Sequence, residues 1–273
     1  TQQTQGPLVS TRSATPSATG AISLAGAGRR TWILTSQVLG ELMTNASAAR
    51  VLATGQVLEI LAPGQPPASG LKVVPTARFA SLTAMRSAFA TGSINPWIGA
   101  VLYDDEAWPA TPEAEQRNPA VSMASAATLV HRHHLLFVAA PALDLASVLA
   151  PKASSRSLAY LGLDLAGKAS KVADVIDIQA QSTEGEAADY LALVERAAAQ
   201  ARAANRSVIV LSGLSTNPPA GPVSADQLRA VERTTESVVS GYWLNVPSPG
   251  PSCPRCGPAD PALAAAVLSH LPG

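Results

Sequence analysis

Apolar and polar positions alternate along this chain in blocks rather than residue by residue. Eight runs are almost continuously apolar and rich in β-branched residues: TWILTS (31–36), QVLEILAP (56–63), LKVVPTA (71–77), IGAVLYD (98–104), HLLFVAAP (134–141), ADVIDIQAQ (173–181), RSVIVLSG (206–213) and SGYWLNVP (240–247). A short continuous apolar run bounded by Gly, Pro or polar residues is how a strand buried on both faces of a parallel sheet reads. Between the later runs lie helical segments with recognisable ends. Asn118 precedes Pro119 at the start of 118–133, Ser224 opens 224–239, and Asp260 precedes Pro261 at the start of 260–271. The segment 185–205 places acids early and arginines late, in line with the helix dipole. Strand–helix alternation at this cadence implies right-handed βαβ units, and eight strands in one chain imply an α/β fold of the (β/α)8 TIM-barrel type.

The N-terminal third fits that expectation less well. Only the stretch GQPPASGLKV separates the second and third runs, too short for an ordinary crossover helix. Either one of these runs is not a barrel strand, or the barrel is irregular there. A doubly wound open sheet is the alternative fold, but no GxGxxG or phosphate-binding loop follows the first strand, so no nucleotide cofactor is expected.

Composition narrows the picture further. The chain has 273 residues, nineteen basic and nineteen acidic, and a formal net charge of zero. That balance implies no global attraction to nucleic acid or to anionic lipid. No stretch approaches the roughly 18 consecutive apolar residues of a membrane helix. Residues 1–20 are a polar Ser/Thr/Gln/Pro run that reads as a disordered tail, leaving 21–273 as one barrel domain. The start without Met suits a mature secreted protein, and artificial trimming would produce the same start. Abundant alanine, with arginine favoured over lysine, suggests GC-rich coding of the actinobacterial type. Cys253 and Cys256 are the only cysteines, in a Pro/Gly-rich loop near the C-terminus. A zinc site lacks its second pair and a thioredoxin-type centre is misplaced, which leaves a local disulfide and an oxidising compartment.

In a TIM barrel the chemistry gathers at the C-terminal ends of the strands. Those ends carry Thr76 and Arg78, Asp104, Asp105 and Glu106, Asp144, Gln179 and Gln181, Asn217, then Trp243 and Asn245. Carboxylates, amides and an indole suit a carbohydrate ligand, since amides bond hydroxyls and aromatic faces stack on sugar rings. The triplet Asp104-Asp105-Glu106 closes the fourth strand, where the pleat should put Asp104 and Glu106 on one face and Asp105 on the other. Two neighbouring carboxyls in a partly desolvated mouth raise one pKa, which is what general acid catalysis of glycoside cleavage needs. The plainer alternative is that one of them caps a loop or pairs with Arg78 or Arg117. A third reading, a divalent cation held by the triplet, lacks further oxygen ligands. His131, His133 and His134 end a helix at the opposite face of the barrel and are not expected to bind metal. Ser215 and Asn217 in GLSTNP lack the GxSxG elbow of a serine hydrolase.

The run GAVLYDDE is similar to the DGxDxDxE signature of family 18 glycoside hydrolases, the chitinase group. Aligned on the last residue, the resemblance implies Glu106 as the acid and Asp104 as its support and that of a substrate acetamido group. Gln179, Gln181 and Trp243 resemble that family's amide or tyrosine and its sugar-floor tryptophan. Gly99 and Leu102 stand where the signature has its first two aspartates, and the early SxGG strand is missing. The expectation is therefore a secreted glycoside-hydrolase-like barrel acting on a polysaccharide or aminosugar, with Glu106 and Asp104 catalytic. Asp105, Gln179, Gln181, Asn217, Trp243 and Asn245 are the expected substrate contacts. A non-catalytic carbohydrate-binding barrel is the alternative. For the cysteines the expected outcome is direct: thiol titration of the denatured, unreduced protein should find no free thiol.

Overall fold

The computed structural model describes residues 29–250, 253 and 256–271, so the expected tail at 1–20 lies outside the described residues. All eight apolar runs are strands: β1 Thr31–Thr35, β2 Gln56–Ile60, β3 Val73–Phe79, β4 Ala100–Asp105, β5 Leu136–Pro141, β6 Val175–Ile178, β7 Ile209–Ser215 and β8 Gly241–Asn245. Every strand pairs in parallel with its sequence neighbours, and β8 returns to β1 to close the barrel. No sheet edge is left unpaired by this closure.

The helices are α1 Ser36–Leu42, α2 Ala46–Thr54, α3 Leu82–Ala90, α4 Glu113–Arg117, α5 Pro119–Arg132, α6 Leu145–Leu149, α7 Arg156–Gly162, α8 Leu165–Ser170, α9 Ala187–Ala204, α10 Ala225–Thr235 and α11 Pro261–Leu268. Their ends follow local chemistry. Ser224 and Gln227 form a reciprocal capping box on α10, and the Asp260 side chain accepts from the Leu263 N–H at α11. Asn118 precedes α5 as expected but does not cap it; its amide donates back to the Ala114 carbonyl. None of the described helices is long and apolar enough to cross a membrane.

The irregularity in the N-terminal third is a missing helix rather than a missing strand. β2 and β3 are joined by the segment 61–72, which contains no helix. Glu59 takes over part of a helix's role. It points outward from β2, is almost fully buried, and accepts the Ala68 N–H at 2.9 Å. Ala68 and Leu71 then pack against the outer core where a crossover helix would otherwise lie.

Two apolar layers result from the pleat. Ile33, Leu58, Val74, Leu102, Val138 and Leu211 face the axis, while Trp32, Val101, Tyr103, Phe137, Ile176 and Tyr242 face the helices. At the bottom of the barrel Glu232 of α10, fully buried, pairs with Arg30 and receives His270 at 3.3 Å. This ties the entry to β1, α10 and the end of α11 together. His131 pairs there with Asp174 at 3.0 Å, and the His133 ring stacks on Phe89. The histidine tract thus lies at the bottom face, away from the strand ends that carry the acids.

Closure constrains one glycine strongly. A Cβ on Gly241 would run into the Thr31 backbone where β8 meets β1. Gly241→Ala should therefore cost about 2–4 kcal/mol of unfolding free energy, read from the urea midpoint at unchanged slope.

Candidate functional site at the mouth of the barrel

β4 carries its acids to the C-terminal end of the barrel, and the pleat separates them. Asp104 shares the axis-facing register row of Ala140, whereas Asp105 points to the helical layer. Glu106 lies just beyond the strand and comes back to Asp104, close enough for the two carboxyls to share a proton. The triplet therefore does not form one oxygen cage, and among the described residues no three His, Cys, Asp or Glu side chains are placed to hold a metal ion.

Asp104 is fully buried and held from both sides. Arg78 of β3 sends Nε and Nη2 to its Oδ2 at 2.7 and 2.5 Å. Gln179, just past β6, donates to its Oδ1 at 2.8 Å and to the Ala140 carbonyl at 2.9 Å. The pairing with Arg78 and the axis-facing position are thus both realised in one residue. The Arg78 guanidinium lies 5.8 Å from the Trp108 ring centre and 5.9 Å from that of Trp243. Its side chain is 34% exposed, so this cation, flanked by two indoles and a carboxylate, reaches solvent at the mouth.

Glu106 is half-buried. Loss of water raises its pKa, the neighbouring Asp104 and Asp144 charges raise it further, and Arg78 only partly opposes them; the result is about 9. Asp144, at the start of α6, accepts the Ala107 N–H at 3.0 Å and is itself shifted upward by burial. One carboxyl of this group, Asp177 of β6, was not among the expected site residues. The β5–β6 register, extended from Val138 opposite Val175, puts it in the same inward row as Asp104 and Ala140. Only Ala140, with its single methyl, stands between them in that row. Asp177 is fully buried, neither oxygen has a hydrogen-bond partner, and burial with the Asp104 charge drives its pKa well up. The available signal was a lone acid in the apolar run VIDI, where alternation with the pattern of its neighbours already points it inward.

The other expected contacts divide. Gln181 lies over Gly213, where a Cβ would collide with its amide, and stays half-exposed at the mouth. Trp243 faces the axis but is only 4% exposed, roofed by Arg78, with its Nε1 unpartnered. Its ring is a floor beneath the guanidinium and offers no open face for a sugar. Asn245 is half-buried at the end of β8, its carbonyl accepting the Thr216 N–H. Two more of the expected contacts are not presented to the mouth. Asn217 spends its amide N–H groups on the Pro247 and Pro258 carbonyls at 3.0 and 3.1 Å, clasping the segment after β8 rather than offering donors to a ligand. The Asp105 side chain is fully buried behind the barrel wall, near Glu115 and Asp144, with both oxygens unpartnered. Cys253 and Cys256 are joined, with Cα atoms 5.4 Å apart, in the same segment that Asn217 holds.

No family model matches this sequence, and no curated protein matches it. Among solved structures, the chain is similar to a "putative alpha-L-fucosidase" from Bacteroides thetaiotaomicron, with a TM-score of 0.50, 12% identity, and coverage of 85% of this chain and 90% of that one. It is also similar to the C-terminal domain of a "putative chitinase" from Desulfitobacterium hafniense (TM-score 0.49, 12% identity, 90% and 99% covered). A third is triosephosphate isomerase from Bartonella henselae (0.44, 11%, 80% and 92%). The fold is a TIM barrel. At these identities the likeness extends to the fold alone.

Asp105 yields a stability test. Burial and the neighbouring acids raise its pKa from 3.8 to about 8. The folded state therefore holds a proton that the unfolded chain releases near its ordinary value. The associated stability is complete in acid and is lost as pH rises through about 8. Asp105→Asn should remove this loss, raising the melting temperature at pH 8.5 by about 3 °C or more while changing little at pH 4.

Proposed function

We propose that this protein is a secreted glycoside-hydrolase-like barrel acting on a polysaccharide or aminosugar, with Glu106 as general acid and Asp104 supporting it. One observation carries the reading: a half-buried carboxyl at the barrel mouth lies against a second, guanidinium-held carboxylate, and burial first, then that neighbouring charge, push its pKa up to about 9. A proton held so far above the ordinary carboxylate range can be delivered at neutral pH. In the step proposed, Glu106 gives its proton to the glycosidic oxygen as the bond from that oxygen to the anomeric carbon breaks. Water then supplies the hydroxyl to the anomeric carbon and returns a proton to Glu106, so the enzyme is regenerated.

The Arg78 fork and the Gln179 amide fix Asp104 so that its charge, rather than its mobility, acts on Glu106. Export is supported by the disulfide, which persists in oxidising compartments. A non-catalytic carbohydrate-binding barrel is the second reading. It is favoured by Gly99 and Leu102, which stand where the family 18 signature carries acids.

Hydrolysis of a panel of chitin-type and other amino-sugar oligosaccharides separates the two. On the catalytic reading Glu106→Gln lowers turnover by about 100-fold or more while binding survives. The wild-type rate should fall as pH rises through about 9, when Glu106 loses its proton. Binding without turnover at any pH, unchanged by Glu106→Gln, selects the second reading, and absence of both binding and turnover overturns the two together.

A further inference from the structure

The chemistry of the mouth is that of a cation site. Trp108, Trp243 and Asp104 already surround one cation, the chain's own Arg78, which reaches the solvent at that point. Indole faces with a carboxylate are a favourable surrounding for positive charge and a poor one for an anion. Beyond this occupied position, three more carboxyls face the same end of the barrel: Glu106, Asp144 and, beneath them, Asp177. Asp177 is fully buried and points at the axis with both oxygens unpartnered. Among the described residues none of the three forms an ion pair. Arg156 attracts Asp144 only through space, and Arg78 is committed to Asp104. The carboxyls are also too dispersed to cage a metal ion.

We infer that the sugar accepted at this mouth carries a free amino group, so that the ligand class is a cationic, non-acetylated amino-sugar oligomer, its ammonium seated against Asp144. This deepens the glycoside-hydrolase reading and rests on it. Asp144 suits the role because it is half-exposed at the rim, and its Oδ1 is anchored by the Ala107 N–H, which fixes the group in place. Burial and the Asp104 charge oppose its ionisation, while the Ala107 N–H and Arg156 favour it. An arriving ammonium would pair with the unpaired Asp144 carboxylate, while Glu106 keeps its own proton for the glycosidic oxygen. A neutral N-acetylated sugar gains nothing from an unpaired carboxylate at that point, and an anionic sugar is repelled by it.

Calorimetric titration with glucosamine hexamer and with N-acetylglucosamine hexamer tests the inference. The amino oligomer should bind about 10-fold tighter than the acetylated one near pH 6. Asp144→Asn retains the contact to Ala107 and should collapse the preference to about 2-fold or less. Equal or tighter binding of the acetylated oligomer, or a preference that survives in Asp144→Asn, overturns the inference and leaves the glycoside-hydrolase reading standing. If neither oligomer binds, that reading falls with it.

Discussion

In a closed parallel barrel each strand has two buried faces, and the pleat assigns successive residues to the axis and to the helices without exception. Almost every feature of this molecule follows from that alternation. It puts Asp104 at the axis and Asp105 behind the wall although they are covalent neighbours. It sets Asp177 and Asp104 in one row over the methyl of Ala140. It also stacks Trp243 below the mouth, where Arg78 covers it. A shift of one residue in the β4 register would exchange the two aspartates and dismantle the site.

The mouth concentrates acid in a low-dielectric setting and supplies one strong ion pair. Arg78 and Gln179 use both oxygens of Asp104, so its charge is fixed in position. Glu106, Asp144 and Asp177 respond to burial and to the Asp104 charge, and each is pushed upward in pKa. Such an arrangement costs stability as pH rises, which is tolerable because much of the core is apolar strand and alanine-rich helix packed around it. The same pressure gives Glu106 a transferable proton. Structural cost and chemical use therefore have a single source in desolvated carboxyls of like charge.

The elements legible in the sequence were those whose signal is local. All eight strands could be read because burial on both faces leaves a run of Val, Ile and Leu, and α5, α9, α10 and α11 because their starts or charge order are marked. The short α6, α7 and α8 lie between β5 and β6 in a segment whose weak periodicity does not separate them from loop. The missing helix between β2 and β3 was visible as too few residues, but not its substitute, since Glu59 finds Ala68 only after the chain has turned back. The expected contacts turned away from the mouth share one cause. Asn217 and Asp105 stand at strand ends, as mouth residues do, yet Asn217 is engaged by the segment after β8 and the Asp105 side chain is turned into the helical layer.

The sequence by itself determined the strand count, the alternating architecture, the position of the acid triplet and the cysteine pairing, because each depends on neighbours within a few residues. Only the tertiary structure decided which acids act on one another. Arg78 meets Asp104 across 26 positions, and Gln179 meets it across 75. Asp177 is added by a register that exists only once β5 and β6 have paired. Electrostatic character belongs to distance in space and to exclusion of water, and neither is defined until the barrel has closed.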